Sequence, residues 1–119
     1  MQSLDRDAAA LWDMAEAIRE MQQFMAGVSE AEYLETLWLR RVIERNFELL
    51  GEAARRVSTQ FQQVHPEVDW RNLVGLRNII AHRYEQVDHE ILWDIINTVL
   101  PEVLAIVERL LPESPDRLS

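Results

Sequence analysis

Apolar residues near the start of the chain recur at helical spacing. Between Ser3 and Met25 they follow one another at intervals of three, four and seven residues, which places them along one side of a helix. Gly27 comes next, and glycine readily takes the left-handed conformation that ends many helices. The pattern predicts a first helix over residues 3–25 with one face on a core, formed by Leu4, Ala8, Leu11, Ala15, Ile18 and Met25.

A second predicted helix begins after Ser29 and runs to about Val57. Ser29 is a suitable N-cap, and two glutamates follow it in the first turn, where the helix dipole favours negative charge. Its apolar residues form two neighbouring stripes rather than one. So wide an apolar arc predicts a central helix, a subunit interface, or both, using Trp38, Val42, Leu49 and Ala53 in one stripe and Leu39, Ile43, Leu50 and Ala54 in the other.

The middle of the chain predicts a connector and then a third helix. Residues 58–66 form the connector, with room for one short helical turn. Asp69 or a nearby residue can cap a helix from about Trp70 to His82. Gly75 lies inside this helix, where glycine costs about 1 kcal/mol relative to alanine. We therefore expect Gly75 to be kept for close packing against another helix.

The last apolar pattern predicts a fourth helix that starts after Asp88 and contains Pro101. Proline inside a helix kinks or divides it, here near Asn97–Leu100. The predicted fold is all-α: an antiparallel up-and-down four-helix bundle with a short extra helix and a kinked last helix. It forms a single domain over residues 1–111, followed by a flexible tail at 112–119.

Composition narrows the class of protein. The 119 residues include 48% hydrophobic side chains, three glycines and no cysteine, so disulfides and thiolate zinc sites are excluded. The net charge is −9, with twelve arginines and no lysine. This balance argues against broad coating of nucleic acid but leaves room for a local basic cleft or a basic partner. No secretory signal and no membrane-spanning run is visible, so we expect a cytoplasmic protein.

Candidate chemistry is concentrated at the end of the third helix. Arg77 can bind a phosphate and stabilise charge that develops on it, and His82 can serve as a general acid or base. Asn78 can orient His82 or bind a phosphate oxygen, and Tyr84 can donate a hydrogen bond or stack on a base. Positions 77 and 82 differ by about 140° around a helix and about 7.5 Å along it. Two copies of the chain related by a two-fold axis would bring the side chains of Arg77 and His82 together.

Each of these residues also has a structural interpretation. Arg77 can pair with a glutamate of a neighbouring helix and fix its register, while His82 and Tyr84 can be structural or interface residues. Arg41 and Arg45 on the second helix can form surface ion pairs, or they can help to bind RNA phosphates. These alternatives stay open at the level of the sequence.

The segment Arg77-Asn78-x3-His82-x-Tyr84 resembles the Arg-x4-His-x-Tyr signature of the HepT-like toxins in the HEPN superfamily. The resemblance spans nearly the whole chain, although only about residues 65–101 are distinctive. It also includes the helix over residues 70–78, and then Val87-Asp88, Leu92-Trp93 and Leu100-Pro101.

This resemblance implies a dimeric all-α bundle whose two motifs line a shared cleft. It implies a metal-independent endoribonuclease, the toxin of a type II toxin–antitoxin pair, with Arg77 and His82 catalytic. Its partner would be a minimal nucleotidyltransferase antitoxin that transfers AMP to Tyr84. Glu85 and Asp88 are unexpected beside an RNA cleft, but they suit the positioning of that enzyme's metal-bound nucleotide.

Two other interpretations compete with the ribonuclease. One is a non-catalytic HEPN-type module that binds RNA or a nucleotidyltransferase. The other is a purely structural helical dimer. No cofactor and no metal site is expected, because His65, His82 and His89 are the only histidines and no two are four residues apart. We expect His89 to lie exposed in the first turn of the fourth helix.

Overall fold

The structure, a computed structural model, describes the backbone of residues 3–83 and 87–112 and the side chains of residues 6–77, 80 and 87–112. This part of the chain is helical and contains no strand, which confirms the all-α prediction. The helices are α1 (Ser3–Met25), α2 (Glu30–Glu35), α3 (Leu37–Arg56), α4 (Thr59–Val64), α5 (Trp70–Arg83), α6 (His89–Asp94) and α7 (Leu100–Leu110), with a π-helical segment (Ile95–Val99) between the last two.

The long helices α1, α3, α5 and α7 form the bundle. Helix α3 packs against both α1 and α5, α1 also contacts α7, and the short α2 lies against α3 and α6. The central position of α3 was one of the two outcomes that its wide apolar arc predicts. The largest side chains that are fully buried come from all parts of the bundle and include Leu11, Ile18, Tyr33, Phe47, Ile80 and Val107.

The prediction of one continuous second helix is wrong, because the chain forms two helices, α2 and α3, that are separated at Thr36. The backbone of Thr36 is extended, with φ −105° and ψ 97°. Its hydroxyl donates to the carbonyl of Glu32, and the guanidinium of Arg40 donates to the carbonyl of Leu34. These side chains satisfy the last carbonyls of α2, so the helix can end and α3 can start in a new direction.

The two predicted apolar stripes of α3 have different surroundings. Leu39, Ile43, Leu50 and Ala54 are all buried, as their stripe predicts. In the other stripe Ala53 is buried, but the side chains of Trp38 and Leu49 are 59% and 42% exposed. Part of α3 therefore presents apolar side chains to solvent.

The start of α5 follows the sequence prediction closely. The connector contains α4, whose N-cap Ser58 accepts a hydrogen bond from the Phe61 amide and donates to the buried Asp7. Asp69 then accepts from the amide and the side chain of Asn72. The predicted short helix and the predicted cap are both confirmed.

The prediction for Gly75 is wrong. A Cβ at Gly75 would have no heavy atom within 4 Å, and the residue borders a cavity of about 380 Å³ between α5 and the π-helical segment. The close approach occurs instead at Gly51 of α3. A Cβ at Gly51 would overlap with Cβ of Arg77 and lie 2.9 Å from the carbonyl oxygen of Leu73. The absence of a side chain at Gly51 allows α5 to pack directly on the backbone of α3.

The last helix is capped and divided as the sequence predicts. Asp88 accepts hydrogen bonds from the amides of Glu90 and Ile91. Pro101 has no amide hydrogen to donate to the preceding turn, and the helix widens into the π-helical segment just before it. The Leu100 amide bonds the carbonyl of Ile95, five residues earlier.

Within the part of the chain that the structure describes, no helix is long and apolar enough to cross a membrane. Tyr84 and Glu85, and the predicted tail apart from Pro112, lie outside the described residues.

Candidate active site

Arg77 lies where α5 meets α3. Its Nε is 3.1 Å from Oε2 of Glu52, and its side chain is 36% exposed. Gly51, next to Glu52, gives α5 its close approach at this point. The sequence-level interpretation of Arg77 as the partner of a glutamate on a neighbouring helix is therefore confirmed, and the guanidinium also remains at the surface of the bundle.

Glu52 holds two arginines at once. It accepts from Nε and Nη2 of Arg55 at 3.2 and 2.6 Å. The hydrogen bond from Arg55 is the largest cause that lowers the pKa of Glu52 below its ordinary value of 4.5, and the charges of Arg55 and Arg77 add to it. The carboxylate thus stays negative at neutral pH, so Arg77 sits beside a fixed negative charge.

The other motif residues are described less fully. The backbone of α5 continues as a helix through His82 to Arg83, so positions 77 and 82 differ by about 140° around one axis. The side chains of Asn78 and His82 and the whole of Tyr84 lie outside the described residues. For Arg77, the described residues establish the ion pair with Glu52 and the close packing on Gly51.

Arg41 and Arg45 both lie on the exposed side of α3. Arg45 pairs with Glu48 at 3.4 Å in a surface ion pair of the expected kind, whereas Arg41 pairs at 2.8 Å with Glu44, whose side chain is buried. The arginines precede Glu52 by eleven and seven residues, which places all three within about 20° of one line along the helix. The suggested role in phosphate binding stays a prediction.

Charge is distributed unevenly between the helices. Helices α3 and α5 together contain eight of the twelve arginines but only three of the 21 acidic residues. They carry a formal charge of +5, whereas the rest of the chain carries −14. The negative net charge of the chain does not exclude a local basic region. Such a region is formed by α3 and α5, and Arg77 belongs to α5.

The prediction that His89 lies exposed is wrong, because its side chain is only 13% exposed. Its Nδ1 lies 2.7 Å from the hydroxyl of Tyr33, and its Nε2 lies 2.8 Å from Oε2 of Glu44. The same Glu44 oxygen accepts from Arg41. Tyr33 is fully buried and Glu44 is 5% exposed. We call Tyr33, His89 and Glu44 the buried triad.

Among the side chains that the structure describes (residues 6–77, 80 and 87–112), no three histidine, aspartate or glutamate residues lie close enough together to hold a metal ion. His65, which pairs with Glu67 at 3.0 Å, lies in the connector between α4 and α5.

Comparison with known proteins decides the family. Residues 14–110 match the family model described as "Ribonuclease HepT-like". The chain belongs to the HepT-like ribonuclease family. Membership confirms the resemblance to this family and the prediction of a ribonuclease.

Relatives of this HepT-like chain carry ribonuclease names. A Methanocaldococcus jannaschii protein named as a candidate RNase, MJ1380, is 33% identical over 104 residues, which cover 87% of this chain and 95% of that protein. A Thermococcus cleftensis protein named "probable ribonuclease HepT" is 29% identical over 100 residues, or 84% and 91% of the two chains. No solved structure gives a significant match.

The buried triad of this HepT-like protein escaped the sequence prediction because its members are far apart in the chain. The spacing of apolar residues nevertheless indicated that His89 and Glu44 lie on buried faces of their helices. His89 precedes the buried Leu92 and Ile96 by three and seven residues, so it continues their stripe. Glu44 stands in the same relation to Phe47 and Gly51, both buried.

Proposed function

We propose that this HepT-like protein is a metal-independent endoribonuclease, the toxin of a type II toxin–antitoxin pair, which cleaves RNA in a composite cleft of a homodimer. The observation that carries the proposal is the placement of Arg77. It stands partly exposed at the contact of α3 and α5 and is oriented through Nε by Glu52. A guanidinium held in this way suits the binding of a phosphodiester.

The charge distribution supports RNA as the substrate. A chain of net charge −9 would repel a polyanion unless its positive charge were concentrated. Helices α3 and α5 provide that concentration. Arg41 and Arg45 lie along the line on α3 that leads to Glu52, where they can bind the phosphates that flank the cleaved one.

A homodimer is supported by the geometry of α5 and by the exposed side of α3. Because α5 continues through residue 83, Arg77 and His82 of one copy start from different sides of the helix, and a second copy supplies the missing group. The exposed Trp38 and Leu49 on α3, with Phe24 of α1 packed against Trp38, offer an apolar surface for that copy.

The proposed reaction needs no metal. The RNA 2′-hydroxyl oxygen forms a bond to the adjacent phosphorus while the bond from phosphorus to the 5′-oxygen breaks. One His82 accepts the proton of the 2′-hydroxyl, and the other His82 donates a proton to the leaving oxygen. Arg77 stabilises the charge that develops on the phosphate. The products are a 2′,3′-cyclic phosphate and a 5′-hydroxyl.

We propose that the antitoxin is a minimal nucleotidyltransferase and that Tyr84 is its target. The tyrosine oxygen attacks the α-phosphorus of ATP, pyrophosphate leaves, and AMP remains on Tyr84. A nucleotide attached two residues after His82 would fill the space that the RNA needs. Asp88, close by in the chain, suits the metal-bound nucleotide of the transferase.

One observation favours a second candidate, a purely structural helical dimer in which Arg77 serves only as an ion-pair residue. Arg77 has an ion-pair partner, as a purely structural arginine would. Replacing Arg77 with alanine separates the candidates. In the ribonuclease the variant stays a folded dimer and loses cleavage, whereas a structural arginine would cost the fold or the dimer.

The proposal is tested by cleavage of RNA and of DNA of the same sequence in the presence of a chelator. We expect RNA alone to be cut, the chelator to have no effect, and His82→Ala to abolish both cleavage and growth inhibition in cells. Equal cleavage of DNA would contradict the 2′-hydroxyl route, and a His82→Ala protein that still arrests growth would favour the binding module.

A further inference from the structure

The buried triad joins three helices through one imidazole. Tyr33 comes from α2, Glu44 from α3, and His89 is the first residue of α6. The ring of Tyr33 also packs against His89 at 5.5 Å and against Trp93 at 6.1 Å between centroids. Both ring nitrogens of His89 are hydrogen-bonded, so the imidazole cannot turn without breaking a buried contact.

The protonation of the triad follows from its burial. Burial is the largest influence on His89 and lowers its pKa below the ordinary value of 6.5, although Glu44 acts in the opposite direction. Burial, together with the charge of Glu44, raises the pKa of the Tyr33 hydroxyl. At neutral pH the Tyr33 hydroxyl therefore donates to Nδ1, and the Nε2 hydrogen is donated to Glu44. Arg41 balances the charge of the carboxylate.

The triad lies next to the signature segment in the chain. Helix α5, which carries Arg77 and His82, ends at Arg83, and α6 begins at His89. The intervening residues 84–88 include Tyr84, and six peptide steps span at most about 20 Å. The connection therefore keeps Arg83, the last residue of α5, within this distance of His89.

Helix α3 contacts the chain both before and after residues 84–88. Glu52 and Gly51 contact Arg77 before these residues, and Glu44 contacts His89 after them. Gly51 and Glu44 are seven residues apart, so they lie on nearly the same side of α3. One helix thus sets the separation between the start of the signature and the start of α6.

We propose that His89 is a positioning residue of the ribonuclease: held between Tyr33 and Glu44, it fixes the start of α6 and through it the end of α5 that carries His82. This inference rests on the proposed function. His89 touches no reacting atom in this account. It acts by keeping His82 at the place where proton transfer to and from RNA is efficient, which a small displacement would spoil.

The test uses conservative replacements within the triad. His89→Gln keeps an amide donor for Glu44 but leaves the buried Tyr33 hydroxyl without its acceptor, and Tyr33→Phe removes that hydroxyl. We expect His89→Gln to lower kcat for RNA cleavage about tenfold or more, since misplacement of a catalytic group can cost up to about a hundredfold. KM should stay within about twofold because the arginines are untouched. The double variant Tyr33→Phe/His89→Gln should recover most of the lost kcat.

His65→Gln is the matched control, because His65 also pairs with a glutamate but lies outside the triad. It should leave kcat and KM unchanged. Hydrogen exchange provides a readout that needs no activity. Amides of residues 77–83 should exchange faster in His89→Gln, regain protection in the double variant, and match the wild type in His65→Gln.

These outcomes separate the two proposals. A wild-type protein that cuts no RNA would contradict the proposed function, and amide exchange would then decide whether His89 positions the end of α5. Positioning by His89 would be overturned by unchanged exchange in His89→Gln. It would also be overturned by a rise in KM alone, or by a loss of kcat that the double variant does not restore.

Discussion

Gly51 of α3 and Arg77 of α5 are in direct contact, so that a methyl group on Gly51 would overlap with Cβ of Arg77. The candidate catalytic arginine therefore packs against the backbone of α3 at Gly51 rather than against a side chain. Its position depends on the absence of a side chain at Gly51 and on the ion pair with Glu52.

Replacing Gly51 with alanine should push α5 away from α3. The methyl group meets Arg77 and the carbonyl of Leu73, and overpacking of this kind costs about 1–3 kcal/mol in the free energy of unfolding. Gly75→Ala is the matched control, because that site is open and alanine is favoured in a helix by up to about 1 kcal/mol. Urea denaturation of both variants measures the difference. Equal effects at the two glycines would contradict the packing described.

Removing the negative charge of Glu52 should impair cleavage more than stability. Glu52→Gln weakens the hold on Arg77, and we expect a roughly tenfold lower kcat as the guanidinium loses its orientation. The free energy of unfolding should change by less than about 1 kcal/mol, because the pair is partly exposed. Glu48→Gln, which breaks the Arg45 pair on the same helix, is the control. A similar loss of kcat in both variants would argue against a specific role for Glu52.

A charge on the exposed side of α3 should weaken the proposed dimer. Leu49→Glu places a carboxylate in the apolar surface that includes Trp38, and burying it against a second copy would leave it unpaired. Sedimentation should show a dissociation constant raised at least about tenfold, with RNA cleavage falling in parallel. Val64→Glu, at an apolar position on α4 that is 67% exposed compared with 42% at Leu49, should remain dimeric. Dissociation of neither variant would contradict the assignment of this surface.

The stability of the protein should fall as the pH drops below 6.5. His89 has a lowered pKa in the folded chain, so below 6.5 the unfolded chain binds a proton that the folded chain does not, and unfolding is favoured. This contribution is complete above 6.5 and is lost as the pH falls towards the folded pKa. The groups that face the ring are Tyr33, Glu44, Arg40 and Arg41.

Urea denaturation at pH 7.5 and pH 5.5 measures this effect. His89→Gln removes the titrating group and should reduce the difference between the two pH values. The carboxylates with lowered pKa titrate below 4.5, outside this range. An unchanged pH dependence in the variant would show that another group is responsible.

Local signals in the sequence predicted most of the fold. Helical periodicity, the caps at Ser29, Asp69 and Asp88, and Pro101 act within a few residues, so the positions of the helix ends followed from them. The break at Thr36 did not, because it depends on hydrogen bonds from Thr36 and Arg40 to carbonyls of α2, which the apolar pattern does not contain.

The residues of the candidate site stay a prediction from the sequence, and their contacts could not be predicted from it. The spacing of Arg77 and His82 identified the signature, whereas the partner Glu52 depends on how α3 and α5 pack. Close packing against another helix was predicted at Gly75 because this glycine lies inside a helix. In the structure, the close approach of α5 to α3 occurs at Gly51 instead. His89 was expected at the surface because its partners are 56 and 45 residues away in the chain.

The central claim is that Arg77 and His82 promote attack of an RNA 2′-hydroxyl on its own phosphate. Its most direct test is a short RNA with a single 2′-deoxy nucleotide at the mapped cleavage site, compared with the unmodified RNA and with His82→Ala protein. We predict that the unmodified RNA yields a 2′,3′-cyclic phosphate, and that neither the substituted RNA nor the His82→Ala reaction yields any product at that site. Cleavage of the substituted RNA at the wild-type rate would contradict the account.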